Sequence, residues 1–162
     1  MDPRIVVLLC FLAVPVIADE RATAKGQIKC DRGLPPLTFV VVQLWEWDPG
    51  SDDLFDSTFG NGHLVDFYVT GKDNDGFLGG SIEPYVLIMH NCSEDNKSCY
   101  VSKHIEYPQN ALDKTYNYGA IDLNDHRNYY DCKKFASHAK DAVERKGKNT
   151  RRLKEIFEVL QF

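Results

Sequence analysis

The chain has 162 residues, of which 43% are hydrophobic and 27% charged. That is the length of one ordinary domain with enough apolar residues for a packed core, so an unfolded polymer is excluded as the default. Net charge is −5, and the aromatic residues, 12% of the chain, sit in short stretches with Val and Ile, which favours strands over helices.

Arg4 precedes an apolar run from Ile5 to Ile17, too short to span a bilayer of roughly 30 Å. Val16, Ile17 and Ala18 are followed abruptly by the polar Asp19-Glu20-Arg21. This pattern predicts a secretory signal peptide over 1–18, cut after Ala18. No later apolar run is long enough to cross a membrane, so a secreted, extracellular domain is expected. Residues 19–25 read as a lead-in, 26–132 as the folded body and 133–162 as a tail.

Within the body the spacing predicts strands over Thr23–Cys30, Phe39–Asp48, Leu54–Thr58, Val65–Thr70, Tyr85–Asn91, Tyr100–Tyr107 and Thr115–Asp122. Turn signals separate them: Pro35-Pro36, Asp48-Pro49-Gly50, Asn61-Gly62, Asp73-Asn74-Asp75-Gly76 and Gly79-Gly80. About seven short strands with such turns predict an all-β, immunoglobulin-like two-sheet sandwich. Alternation puts Val40, Val42 and Leu44 on one face of the second strand, and Gln43, Trp45 and Trp47 on the other. If that second face is outward, Trp45 and Trp47 form an aromatic patch suited to a partner.

Cys10 leaves with the signal, and Cys30, Cys92, Cys99 and Cys132 remain. An even count in a secreted domain implies two disulfides, for which three connectivities exist. Cys92 and Cys99 flank the short polar loop 93–98, which favours a local bridge and leaves Cys30 to pair with Cys132. The spacing contains no Cys-x-x-Cys pair and does not suit zinc. Asn91-Cys92-Ser93 and Asn96-Lys97-Ser98 are glycosylation sequons, so glycan is expected at Asn91 and Asn96.

Lys133 to Phe162 holds nine Lys and Arg against four acids, a net of +5, whereas Met1 to Cys132 nets −10. The reversal marks a boundary just after Cys132. Leu153, Ile156, Phe157 and Leu160 fall at i, i+3, i+4 and i+7, one face of a helix capped by Asn149 or Thr150. Arg151, Arg152 and Lys154 flank that stripe, so the tail is expected to touch an anionic membrane surface, with the stripe adding insertion. Packing on the sandwich or dimerising is the alternative for the stripe, and the dibasic pairs Arg145-Lys146 and Arg151-Arg152 are candidate cleavage sites.

Particular residues between Gly26 and Cys132 carry a family likeness. They are Gly26-x-Ile28-x-Cys30, Val40-x-Val42-x-Leu44-x-Glu46-x-Asp48, Glu83-Pro84-Tyr85 running to His90-Asn91-Cys92, and Tyr116-x-x-Gly119-x-Ile121-x-Leu123 before Cys132. In this ordered set the chain resembles the nematode transthyretin-like family. The resemblance implies a transthyretin-like sandwich and secretion, and only weakly a function. The segment Phe59-Gly60-Asn61-Gly62-His63-Leu64 departs from the usual hairpin, and Lys72–Ser81 is richer in Gly than the acidic turn common in the family.

The wider fold includes 5-hydroxyisourate hydrolase, with a C-terminal Tyr-Arg-Gly-Ser that this chain lacks. His63, His90, His104, His126 and His138 show no recognisable spacing to a nucleophile or acid, and His90 reads as structural. Asp73-Asn74-Asp75-Gly76 resembles the start of a calcium loop but lacks the twelfth-position Glu, and reads as a turn. The expectation is a non-enzymatic extracellular binding or bridging protein that needs no cofactor, contacts a protein or receptor, and excludes nucleic acid through secretion. An extracellular carrier of a small hydrophobic ligand is the alternative, and a hydrolase ranks below both.

Overall fold

In a computed structural model the chain folds as two sheets with one helix. The structure describes residues 19–32, 38–73, 80–94, 98–101, 105–123 and 128–147. The strands are β1 (Glu20–Lys29), β2 (Phe39–Glu46), β3 (Asp53–Asn61), β4 (Leu64–Asp73), β5 (Pro84–His90), β6 (Cys99–Val101), β7 (Ile105–Glu106), β8 (Thr115–Asp122) and β9 (Asn128–Tyr130). Helix α1 spans Cys132–Arg145. The smaller sheet runs β4-β1-β8, and the larger runs β3-β2-β5-β6-β9 with β7 also on β5. The all-β sandwich with a helical extension read from the sequence is the fold observed.

Alternation along β2 assigns the two cores. Val40, Val42 and Leu44 face the smaller sheet and pack against Ala22, Ala24, Ile28, Phe67 and Val69. Phe39 and Val41 face the other way, onto Phe135, Ala136, Ala139, Ala142 and Val143 of α1. These helix positions recur at i, i+1, i+4, i+7 and i+8, one stripe of a helix. Three of them are Ala, so the helix backbone can lie close to the sheet. Asp131 caps α1, its carboxylate accepting from Lys133 N at 2.8 Å. The segment that begins the basic tail is therefore built into the domain, and of the expected lead-in 19–25 all but Asp19 forms the first six of the ten residues of β1.

Other boundaries move for local reasons. The predicted strand Tyr100–Tyr107 resolves into β6 and β7. β3 and β4 extend toward each other until only Gly62, at φ +114°, and His63 turn the chain, and Gly60 has no room for a Cβ beside Val65. Gly26 in the family opening has a comparable reason: a Cβ there would stand 2.8 Å from the Phe67 ring and 2.9 Å from Gly119 O. Gly119, at φ +67°, belongs to the irregular step where β8 pairs in parallel with β1. The predicted helix carrying Leu153, Ile156, Phe157 and Leu160 lies outside the described residues, as do Arg151, Arg152, Lys154 and Asn96.

The predicted disulfide pairing is wrong. The bridges are Cys30–Cys92 and Cys99–Cys132. Register explains it: His90 lies opposite Tyr100, so continuing the pairing beyond β5 would bring Asn91, not Cys92, opposite Cys99. Cys92 joins the core between the sheets, and Cys99 joins the core under the helix. Asn91, expected from its sequon to carry glycan, is fully buried, and its side-chain oxygen accepts from Phe39 N at 2.6 Å.

A polar cluster lies beneath α1. Trp45 Nε1 donates to Gln43 Oε1 at 3.0 Å, so the Gln43 amide nitrogen faces His138 Nδ1 at 3.3 Å as a donor. His138 Nε2 lies 3.1 Å from Tyr130 Oη. This arrangement suits a neutral imidazole with its proton on Nε2, since a second proton on Nδ1 would point at the Gln43 N–H. Burial pushes the His138 pKa below its ordinary value, Asp141 opposes that and Lys134 adds to it. A group that protonates less readily when folded favours unfolding as protons bind. Its contribution is fully present above the unfolded pKa near 6.5 and falls as the pH drops below that toward the lowered folded value. Melting curves are expected to show a drop in Tm between pH 7.5 and pH 5 that the His138→Gln variant loses in part. An unchanged slope in that variant would assign the drop to other groups.

Candidate binding cleft

Among the described residues the outer face of the larger sheet is covered only in part. The helix lies over Phe39 and Val41 and reaches Gln43 through His138, leaving the far end of β2 outside its cover. There Trp45 stands opposite Tyr85 in register and is half-buried, with its indole N–H held by Gln43. Trp47 lies one residue beyond β2 and is 51% exposed, although its backbone N–H still pairs with Glu83 O at 3.1 Å. The aromatic patch read from alternation is thus open at Trp47 and largely closed at Trp45.

Trp47 forms one wall of a cleft of about 330 Å³, completed by Glu83, Pro84, Tyr85, Glu106, Tyr107 and Gln109. Each wall is fixed by strand pairing. Tyr85 lies opposite Glu106, and Tyr107 N donates to Pro84 O at 3.1 Å. Gln109 Nε2 donates to Ile82 O at 2.8 Å. Tyr85 Oη donates to Asp52 Oδ2 at 2.7 Å, and burial followed by that bond holds its pKa well above the usual phenol range. The Tyr107 hydroxyl points away into the fold. It lies within 2.9–3.2 Å of Thr23 O, Ala111 O and Lys114 O, and accepts from Thr23 N.

Elsewhere the chemistry-bearing residues serve the fold. His90 is fully buried, stacks on Tyr100 at 5.5 Å and accepts from Cys92 N at 3.1 Å, matching its structural reading. His63 Nδ1 contacts Cys30 O. His104, His126 and 74–79, which include most of the acidic turn, lie outside the described residues. Among the described residues no three His, Cys, Asp or Glu side chains gather as a metal site, and no helix is long and apolar enough to cross a membrane.

The domain is thus a two-sheet sandwich with one disulfide between its layers, a second that ties the helix to the larger sheet, and an aromatic and acidic cleft at one sheet end. The sequence profile of the Transthyretin-like family matches residues 25–108. Transthyretin-like protein 5 of Caenorhabditis elegans is 29% identical over 133 residues, covering 74% of this chain and 90% of that protein. Transthyretin-like protein 16 of the same species is 30% identical over 118 residues, covering 70% of this chain and 83% of that protein. The chain belongs to the transthyretin-like family, whose members are not typically enzymes. Among solved structures, a 9R-lipoxygenase from Cyanothece matches 75% of this chain and 22% of its own length at 16% identity and a TM-score of 0.39, a likeness too slight to argue from.

The sequence could offer Trp47 through alternation alone. Glu83, Glu106 and Gln109 had no local signal, because each reaches the cleft through the pairing of β5 with β7 and the turn after it.

Proposed function

We propose that this is a secreted, non-enzymatic binding or bridging protein that engages a protein partner through the Trp47 cleft and an anionic surface through the outer face of α1. The observation that carries the reading is the exposed Trp47 on a wall of paired strands. An indole left 51% open beside fixed polar groups has the properties of an interface anchor. Between the sheets the described apolar side chains gather into one buried core cluster, which favours a surface contact over an internal cargo. The cleft has carboxylates on its walls, which suits a polar partner better than an apolar cargo.

The second contact rests on charge. Lys133, Lys134, Lys140 and Arg145 are exposed on α1, with the buried stripe opposite them. A basic residue near an anionic surface contributes up to about 1 kcal/mol, less as salt rises. Cutting the chain after Cys132 would strip the helix from its core, so charge reversal is the suitable test. Lys133→Glu, Lys134→Glu and Lys140→Glu together are expected to reduce co-sedimentation with anionic vesicles by roughly tenfold or more at low salt, with Tm kept within a few degrees. Equal sedimentation of variant and wild type would reject the lipid contact. For the body, Trp47→Ala should abolish most cross-linking of the secreted protein to its extracellular partner, at a cost in stability below about 1 kcal/mol. Undiminished cross-linking would move the protein contact elsewhere.

A further inference from the structure

The polar side chains lining the cleft share one character. Glu83 and Glu106 are exposed carboxylates, and among the described residues neither enters an ion pair. Gln109 spends one amide N–H on Ile82 O and keeps its amide oxygen as an acceptor. Tyr85 directs its hydroxyl hydrogen to Asp52, which sets a third carboxylate behind the aromatic wall. Apart from the Trp47 indole N–H and the second amide N–H of Gln109, the described side chains of the cleft offer acceptors and aromatic surface, and among the described residues no Lys or Arg lines it. Neutral or anionic ligands would find few donors there. A cation would find acidic edges and π faces together, in a concave site that concentrates the field of its carboxylates.

Resting on the cleft as the protein-binding site, we propose that its occupant is a single arginine side chain projected by the partner. A guanidinium is planar and weakly hydrated, so it can stack on an indole while its edge donors bond carboxylates. An ammonium is a compact, strongly hydrated point charge with no flat face to stack on the indole. The chemistry also separates arginine from citrulline, which keeps the shape and loses the charge.

The probe is N-acetyl-arginine amide, titrated into the full secreted chain while the Trp47 indole N–H signal is followed by NMR, with Trp47→Phe identifying that signal. The expected result is a saturable millimolar shift, roughly tenfold weaker with the lysine analogue and weaker still with the citrulline analogue. The double variant Glu83→Gln, Glu106→Gln should lose roughly fivefold or more in affinity with its fold intact, and added salt should weaken wild-type binding. No shift with the arginine probe, equal binding of citrulline, equal binding of lysine, or unchanged affinity in the double variant would each overturn the proposal. Failure of the cleft itself looks different. Loss of partner cross-linking in Trp47→Ala without any arginine response leaves the cleft as the interface and removes arginine as its occupant. An arginine response with cross-linking unaffected keeps the cation site and removes its role in partner capture.

Discussion

Phe135→Ala is expected to cost about 3–5 kcal/mol in equilibrium unfolding, with the denaturant midpoint moving accordingly. Phe135 is fully buried and is the largest side chain that α1 inserts into its core with the sheet. The neighbours on its own helix are Ala136, Ala139, Ala142 and Val143, too small to fill the space left behind. From the sheet side Phe39, Val41, Phe59 and Met89 face the same cavity, and they are held by backbone pairing from closing on it. Transfer and cavity terms therefore both apply. The same core predicts the order of loss. The bridge Cys99–Cys132 keeps the start of the helix beside β6, and Lys146 pairs with Asp56 of β3 at 2.8 Å near its end. That pair is partly exposed and worth little, so Lys146→Ala should change stability by less than about 1 kcal/mol. A Phe135→Ala variant as stable as wild type would mean that the helix only rests on the sheet.

That helix shows what the sequence could and could not say. β2 and β5 were legible because their apolar runs lie beside strong turn signals, and β8 because it carries most of the family motif from Tyr116 to Leu123. The helical stripe of α1 was hidden, because three of its five buried residues are Ala, which carries little hydropathic contrast against Lys and Ser. The more apolar run Leu153–Leu160 drew the helical reading instead, together with the charge reversal at Cys132. That reversal is real, but it marks the point where a basic outer face begins on a helix whose inner face is core. β9 is three residues long, too short for any periodicity, and exists because Cys99–Val101 has a free edge for it to pair with. Trp47 could be nominated from alternation. The acids of its cleft could not, because strand pairing joins Glu83 to Trp47 and Tyr85 to Glu106 across dozens of residues.

Removing the bridge Cys30–Cys92 by Cys30→Ser with Cys92→Ser is expected to cost about 4 kcal/mol, the other large effect. The bridged residues are 62 apart in sequence, and the loop-entropy estimate for a closure of that length is about 4 kcal/mol, an upper figure in practice. Here a second cost adds to it. Cys30 and Cys92 are 1% and 0% exposed within the core between the sheets, so two serine hydroxyls would replace a buried sulfur pair. Cys30 follows β1 of the smaller sheet and Cys92 follows β5 of the larger, so this bridge is also a covalent tie between the layers. Cys99–Cys132 spans 33 residues and ties the helix to the larger sheet alone. Its Cys132 is only half-buried, so a mild reductant should reach it first. Partial reduction and alkylation are expected to label Cys99 and Cys132 before Cys30 and Cys92. Under non-reducing digestion the peptides of Cys30 and Cys92 should stay linked, and recovery of Cys30 bonded to Cys132 would overturn both the pairing and the account of register that explains it. The two reductions should also differ in what they release. Opening Cys99–Cys132 loosens the basic helix and leaves the cleft at Trp47 standing on β2, β5 and β7. Opening Cys30–Cys92 weakens the sandwich under both surfaces. Partner binding that survives the first reduction and fails with the second would place the protein contact on the sandwich, apart from the charged face of the helix.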